Sequence, residues 1–322
     1  TISFDSSLFG DIPVARDLTS PLYNFAVVVD DFEMKINHVI RGDEHISNTP
    51  KQILLQQALG FPQPIYAHIP LILGEDRAKL SKRHGMAPVR DYRQLGYLPE
   101  ALLNFIALLG WHPAGDREIF SLQGLIEEFS MERVQKAPAI FNPSRLAWIN
   151  SYYLKHKSPQ DLLPDALPFW KDAGFIEESE KTKFKNSQRK VSVSIIFLQE
   201  ILNLAKERLE KLSDLADLTE FFFRQPQYEP ELLCWKQMTL SEVREALEKI
   251  MEAISSIEDE EFTSEKIDSS LSGLYAEDKG IILWPLRVSL TGRKASPGPL
   301  EIATILGKKE TLRRLEHALK LL

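Results

Sequence analysis

The sequence predicts an α/β fold over its first ninety residues followed by an all-α remainder, and three features carry that expectation. Strand-like and helix-like segments alternate up to about residue 90, helices that begin on proline and stop at glycine take over from Tyr92, and β-branched runs then become scarce, leaving no convincing second sheet. At 322 residues the chain exceeds the usual size of one compact domain, so two or three are expected, with apolar content enough for real cores.

Taken in order, the apolar run Phe25 to Val29 fits either a strand or a buried helix, whereas the β-branched residues in Lys35 to Ile40 favour a strand. The stretch "SNTPKQILLQQALGFP" predicts a helix with Thr49 as N-cap, Pro50 as its first residue, an apolar stripe at Ile53, Leu54 and Ala58, and Gly60 as its stop. "YAHIPLILGED" reads as a short buried strand ending in a turn, so strand, helix and strand imply a crossover unit of a parallel sheet. Ligands of open parallel sheets bind where strands end and loops begin, which draws attention to "RGDEH" and "AKLSKRHG". Further on, "LPEALLNFIALLG" and "NPSRLAWINSYYL" read as capped helices, with a boundary near residue 150. After them come "VSVSIIFLQEILNLAKERLEKL", the acidic "TLSEVREALEKIMEAI" and the basic "KKETLRRLEHALKLL". "GIILWPLRVSLTG" is rich in β-formers, but Pro285 argues against a central strand, and a kinked helix is expected.

Bulk properties exclude several classes. A single cysteine, Cys234, rules out an internal disulfide framework or a cysteine metal cluster, and among apolar neighbours it reads as a core residue. No run of about 18 apolar residues and no basic-then-apolar leader pattern is present, so an intracellular, cytoplasmic protein without membrane insertion is expected. The chain opens at Thr1 directly into "TISFDSSLFGDIPVARD", which reads as the inside of a polypeptide.

The net charge of −7 argues against a polyanionic partner, but its distribution argues the other way. Asp76 to Arg93 holds six bases against two acids, Lys181 to Lys190 five against none, and Ile281 to Leu322 eight against three, while Glu242 to Asp268 holds ten acids against three bases. Nucleic acid could meet the basic stretches, although any one of them is equally an ordinary solvated helix face.

"GEDRAKLSKRHG" gathers lysine and arginine on a glycine-flanked turn after a strand, where mobile ammonium groups can wrap a phosphate chain and stabilise charge that develops on phosphoryl oxygens. Taken alone it is a basic surface turn. It does not stand alone: Lys79-Leu80-Ser81-Lys82-Arg83 resembles the KMSKS loop of class I aminoacyl-tRNA synthetases. "LYNFAVVVDD" and "HVIRGDEHISNTPKQILLQQALG" resemble the glutamyl and glutaminyl branch of that class, and "LPEALLNFIALLGW" resembles the helical region that follows. "PLRVSLTGRKASPGPLEIATILGKKETLRRL" resembles the C-terminal region of the bacterial-type glutamyl enzymes, so the likeness runs over nearly the whole chain.

The resemblance implies a partial class I Rossmann-type nucleotide-binding domain at 1–90, a helical stem-contact region at 91–150 and an all-helical anticodon-binding domain at 151–322. It implies ATP and Mg²⁺, with L-glutamate and tRNA(Glu) as partners of a cytoplasmic monomer, and no residue of this sequence is assigned to a metal. Lys79 and Lys82 match the loop lysines that hold the ATP phosphates, with Leu80, Ser81, Arg83 and His45 also on the nucleotide side. Arg41 matches the arginine that pairs with the α-carboxylate of the amino acid, a task for which a guanidinium fork is suited. Its alternative is a structural ion pair with Asp43 or Glu44. Tyr23 and Glu44 match the amino-acid pocket, Tyr23 being otherwise a core aromatic. His38, His68 and His112 lack metal-ligand spacing and read as packing or capping residues.

One departure is serious. The class carries a His-x-Gly-His motif after its first strand, and no such pattern occurs in these 322 residues. The expected activity is ligation of glutamate to tRNA through an adenylate, with the isolated chain inactive because that half of the site is missing. The alternative is a non-catalytic tRNA-binding fragment or paralogue. A glutaminyl enzyme is disfavoured because that relative carries β-barrel anticodon domains. The short relative that modifies a tRNA base is disfavoured because it has no anticodon domain.

Overall fold

The computed structural model describes all residues except 1, 6, 8, 81–87, 181–182, 188–191 and 276–277. The chain divides into two compact units, Thr1–Pro88 with Pro99–Ile149, and Val89–Leu98 with Asn150–Leu322.

In the first unit a short hairpin, β1 (Ala15–Asp17) and β2 (Ser20–Pro21), leads into α1 (Tyr23–Glu33). The run Phe25 to Val29 is thus helical, with Val28 only 1% exposed, so burial of one face outweighs the strand preference of three consecutive valines. Lys35 adopts φ 55° just past the helix, and the strand expected from Lys35 begins later, as β3 (His38–Gly42). α2 (Thr49–Leu59) carries the chain across to β4 (Ile65–Ile69), which pairs with β3 in parallel, Arg41 opposite His68. Gly60 ends α2 at φ 69°, a left-handed conformation that glycine adopts without a Cβ penalty. The N-cap is Asn48 rather than Thr49, whose hydroxyl instead donates to the His45 carbonyl at 3.1 Å. The single buried strand expected at "YAHIPLILGED" is two strands, β4 and β5 (Ile72–Leu73). Ile65, Ile69 and Ile72 are exposed, and β5 belongs to a different sheet, parallel to β6 (Ala139–Ile140).

After α3 (Val89–Gln94), which belongs to the second unit, α4 (Pro99–Gly110) buries Ala101, Asn104, Phe105 and Leu108. That spacing gives one helix face to the core. The buried Asn104 holds the loop before α5 (Leu122–Glu128), accepting from Phe120 N at 2.7 Å and donating to Glu118 O at 2.9 Å. The boundary between the units falls within α6 (Pro143–His156).

The second unit is mainly helical. α7 (Pro159–Asp172) is capped by Ser158 and buries Trp170, whose indole donates to Thr219 at 2.9 Å. There is one addition to the all-helical expectation: β7 (Ile176–Glu180), β8 (Lys183–Asn186) and β9 (Ser192–Val193) form an antiparallel sheet. Then follow α8 (Ile195–Ala205), α9 (Leu215–Phe223) and α10 (Leu240–Ser255). α10 opens with a reciprocal Thr239/Glu242 capping box and buries Val243, Ala246, Leu247, Ile250 and Ile254. Its acids thus occupy the face left to solvent. α11 (Ser264–Leu271) precedes α12 (Gly280–Thr291), the helix expected at "GIILWPLRVSLTG" with Pro285 inside it. α13 (Pro299–Leu306) and α14 (Lys308–Leu321) complete the unit. Cys234 is half-buried, and burial pushes its thiol up, the opposite of an activated nucleophile.

Two contacts in this unit yield direct tests. Gly96 sits at φ 79° against Leu212, and a Cβ there would lie 2.4 Å from the Leu212 Cβ and 2.8 Å from its backbone nitrogen. Gly96→Ala must therefore shift backbone as well as adopt a disfavoured φ. A loss of roughly 2–4 kcal/mol in urea unfolding is expected, and an unchanged midpoint would refute the packing.

Asp278 accepts from Lys236 Nζ at 2.6 Å, Trp235 Nε1 at 2.9 Å and Gly280 N at 2.9 Å. The Lys236 hydrogen bond first, then those from Trp235 and Gly280, bring its carboxyl down to about 2. Because the folded value is the lower one, the contribution to stability is complete at neutral pH and is lost as pH falls from the ordinary carboxylate range through about 2. A carboxyl NMR titration should give a midpoint near 2 that rises in Lys236→Met. An ordinary midpoint in both proteins would contradict these bonds.

Candidate functional site

The site of the first unit is built on the C-terminal ends of β3 and β4. Arg41 lies next to last on β3, and its parallel register with β4 sets it opposite His68. Tyr66 and His68 are two residues apart on β4 and so share one face of the strand, while Thr49 and Gln52 are three apart on α2 and so share one face of that helix. These four residues surround the guanidinium. Nη2 donates to Thr49 Oγ1 at 2.8 Å and to Gln52 Oε1 at 2.7 Å, and Nε reaches His68 Nε2 at a long 3.4 Å. The charge lies 5.3 Å from the Tyr66 ring centre.

No carboxylate among the described residues lies within ion-pair distance of Arg41, so the alternative of a structural pair with Asp43 or Glu44 is not realised. All of its hydrogen-bonding neighbours are neutral. His68 is held below the ordinary histidine range by burial first and then by the Arg41 charge, so at pH 7 its ring is uncharged. Its Nε2 lies between Arg41 Nε and Thr49 Oγ1, the latter at 3.0 Å. Asp31 is near enough for its carboxyl to feel Arg41, but burial dominates and pushes it up.

The turn Asp43–His45 after β3 carries the next two residues of interest. His45 faces Tyr23 with ring centres 6.0 Å apart, and its Nδ1 is 3.2 Å from the Asn48 amide. Tyr23 is 52% exposed, which removes the reading of it as a core aromatic. Glu44 lies 3.9 Å from Lys79 Nζ, and both are exposed, so this pair contributes little to stability and leaves the ammonium accessible. Lys79 is positioned by a hairpin. Gly74 N donates to Ala78 O at 2.9 Å, Leu80 N to Ile72 O at 3.1 Å, and Lys79 bridges Leu73. The start of the lysine-rich segment is therefore ordered strand-like backbone. Ser81, Lys82 and Arg83 lie outside the described residues.

Tyr23, Arg41, Glu44, His45, Lys79 and Leu80 thus belong to one unit, with Tyr23 against His45 and Glu44 against Lys79. Sequence reading missed Gln52 and the part played by Thr49 and His68, the last taken as a packing or capping residue. The spacing of Thr49 and Gln52 on the helix that Pro50 and Gly60 bracket is the available signal. Among the described residues the rings of His38 and His112 meet side-chain amides, Asn37 at 2.9 Å and Gln135 at 3.0 Å.

In the second unit the basic tracts expected to meet tRNA are only partly free. Arg314 is fully buried, donating to Glu310 at 2.8 Å and to the carbonyls of Leu290 and Arg224. Arg287 is half-buried and donates to Ser296 O at 2.7 Å and Pro297 O at 2.8 Å. Much of Lys181 to Lys190 lies outside the described residues.

A strand-end arginine held by neutral hydrogen-bonding groups, in the same unit as a lysine hairpin, is the kind of site that takes an anionic small molecule. Residues 1–148 match the family model of tRNA synthetases class I (E and Q), catalytic domain, and residues 161–319 match that of an anticodon binding domain. The chain belongs to this branch of the class I tRNA synthetases. Its relatives include glutamate–tRNA ligase 1 of Caldicellulosiruptor saccharolyticus, 43% identical over 98% of this chain and 63% of the relative. The glutamate–tRNA ligase of Desulforamulus reducens is 38% identical over 99% of this chain and 64% of its own length. Among solved structures, a glutamate tRNA ligase of Elizabethkingia meningosepticum in complex with its amino acid superposes with a TM-score of 0.80 at 32% identity. That match covers 95% of this chain and 61% of the other. The chain therefore spans somewhat under two thirds of the length of the relatives it matches.

Proposed function

We propose that this chain forms part of a glutamate–tRNA ligase, which activates L-glutamate with ATP and transfers it to the 3′ end of tRNA(Glu). The observation that carries the reading is the guanidinium of Arg41, fixed at a strand end by neutral groups and so left with its full charge for a carboxylate. Arg41 binds the α-carboxylate, Tyr23 and Glu44 line the amino-acid pocket with Glu44 offered to the ammonium group, and His45 lies against adenine. Lys79, Leu80, Ser81, Lys82 and Arg83 receive the triphosphate.

Residues 1–90 supply the later part of the catalytic domain, 91–150 contact the tRNA stem and 151–322 hold the anticodon. Magnesium accompanies the nucleotide. Phosphate oxygens and water would supply most of its ligands, as is usual for this ion beside a nucleotide. The protein acts as a cytoplasmic monomer. No helix of the described residues is long and apolar enough to cross a membrane.

The His-x-Gly-His pattern is absent from the 322 residues, which favours a second reading, a tRNA-binding polypeptide without adenylation activity. Glutamate-dependent exchange of pyrophosphate into ATP decides between them. A chain extended by a segment bearing that motif should exchange, and Lys82→Ala should lower its rate about 100-fold, the cost of roughly 3 kcal/mol of transition-state stabilisation. Equal exchange by both would defeat the loop assignment, and tRNA binding without any exchange would favour the second reading.

A further inference from the structure

A guanidinium has five N–H donors, and those left free decide how a carboxylate can approach. In Arg41 the Nη2 group directs its two hydrogens to Thr49 Oγ1 at 2.8 Å and Gln52 Oε1 at 2.7 Å, and Nε points to His68. Among the described residues Nη1 has no hydrogen-bond partner. Both edges on which a guanidinium pairs with two carboxylate oxygens, Nε with Nη2 and Nη1 with Nη2, include the nitrogen already engaged. The fork expected from the sequence is therefore reduced to one prong.

Gln52 is what holds it so. The side chain is 1% exposed, and its Nε2 donates to Asn24 Oδ1 at 3.0 Å, so the amide cannot turn over without losing bonds to both α1 and Arg41. Thr49 is likewise fixed: its hydroxyl accepts from Arg41 and has both His45 O at 3.1 Å and His68 Nε2 at 3.0 Å within reach. A carboxylate in place of Gln52 would hold the guanidinium as well but would cancel its charge. A neutral amide holds it and leaves the charge for the ligand.

We infer that Gln52 is a positioning residue for amino-acid recognition. By occupying Nη2 together with Thr49 it makes Arg41 a one-nitrogen carboxylate site, so the ligand's carboxylate is bound through Nη1 and its second oxygen must find a different donor. This rests on the amino-acid-binding reading of Arg41, whereas the pinning of Nη2 does not.

Nitrogen-15 NMR of the arginine side chains in the full 322-residue chain, combined with titration of L-glutamate, separates the two. The native protein should show distinct, slowly exchanging Nη1 and Nη2 signals for Arg41, merged in Gln52→Ala, with glutamate affinity at least 10-fold weaker. Gln52→Glu preserves size and the acceptor, so it should keep the signals distinct yet also weaken glutamate binding at least 10-fold. A residue that merely supports the fold would not produce that split, and Gln52→Glu keeps the test usable if Gln52→Ala does not fold. Unchanged Arg41 signals in Gln52→Ala, or native affinity in either variant, would overturn the inference. If the native chain and Arg41→Ala bound glutamate equally, the amino-acid reading would fail and take the ligand part of the inference with it. The NMR comparison would still decide whether Gln52 pins the guanidinium.

Discussion

Arg41→Ala is expected to weaken L-glutamate binding roughly 100-fold, the upper range for loss of a charge-assisted hydrogen bond in a partly buried site. The side chain is positioned by strand register and by α2, so its removal deletes a guanidinium at this end of the parallel pair while the pairing of β3 with β4 persists. Thr49 and Gln52 would each lose a donor, but Thr49 retains His45 and His68 within reach and Gln52 retains Asn24, so only a modest loss of stability should accompany the loss of affinity. Calorimetric titration of both proteins measures the first effect and thermal unfolding the second. Arg41→Lys should rescue little, because an ammonium cannot reproduce the three directions in which the guanidinium is held.

Arg314→Ala should destabilise the second unit by about 3–5 kcal/mol. This arginine is completely buried on α14 and ties three elements together. Nη1 donates to Leu290 O near the end of α12, Nη2 to Arg224 O just past α9 at 3.3 Å, and Nε to Glu310 one turn away at 2.8 Å. Glu310 keeps Arg313 as a partner at 2.7 Å, so an orphaned carboxylate is not the main loss. The larger costs are two carbonyls deprived of a charged donor and a cavity the size of the side chain. Arg314→Met should recover the packing part alone and fall between the alanine variant and the native chain. Urea unfolding checks the series, and a midpoint for the alanine variant within error of the native one would show that the buried guanidinium is dispensable.

The sequence made legible what depends on local chemistry. Pro50 and Gly60 bracket α2, Thr239 and Glu242 start α10, and its apolar residues recur on one helical face. The motif around Arg41, Glu44 and His45 identified a strand end followed by a turn, and the structure has that strand and turn. What remained hidden depends on pairings across the chain. Strand β7 is largely glutamate, a poor strand former, yet Glu177 stands opposite Lys185 in the antiparallel register while Ile176 and Phe184 are buried. Composition could not reveal that complementarity. Likewise His68 meets Arg41 across 27 residues of sequence, and Thr49 was assigned to capping because capping is what threonine before proline usually does. The valine run of α1 left strand and helix open for the same reason: its local preference is for strand, and burial against α2 decides for helix.

The account stands or falls on the carboxylate that meets Arg41. A crystal structure of the 322-residue chain grown with L-glutamate should place the α-carboxylate within hydrogen-bond distance of Arg41 Nη1, with Gln52 and Thr49 still on Nη2. Glutamate bound elsewhere, with Nη1 turned to a protein carboxylate, would contradict it.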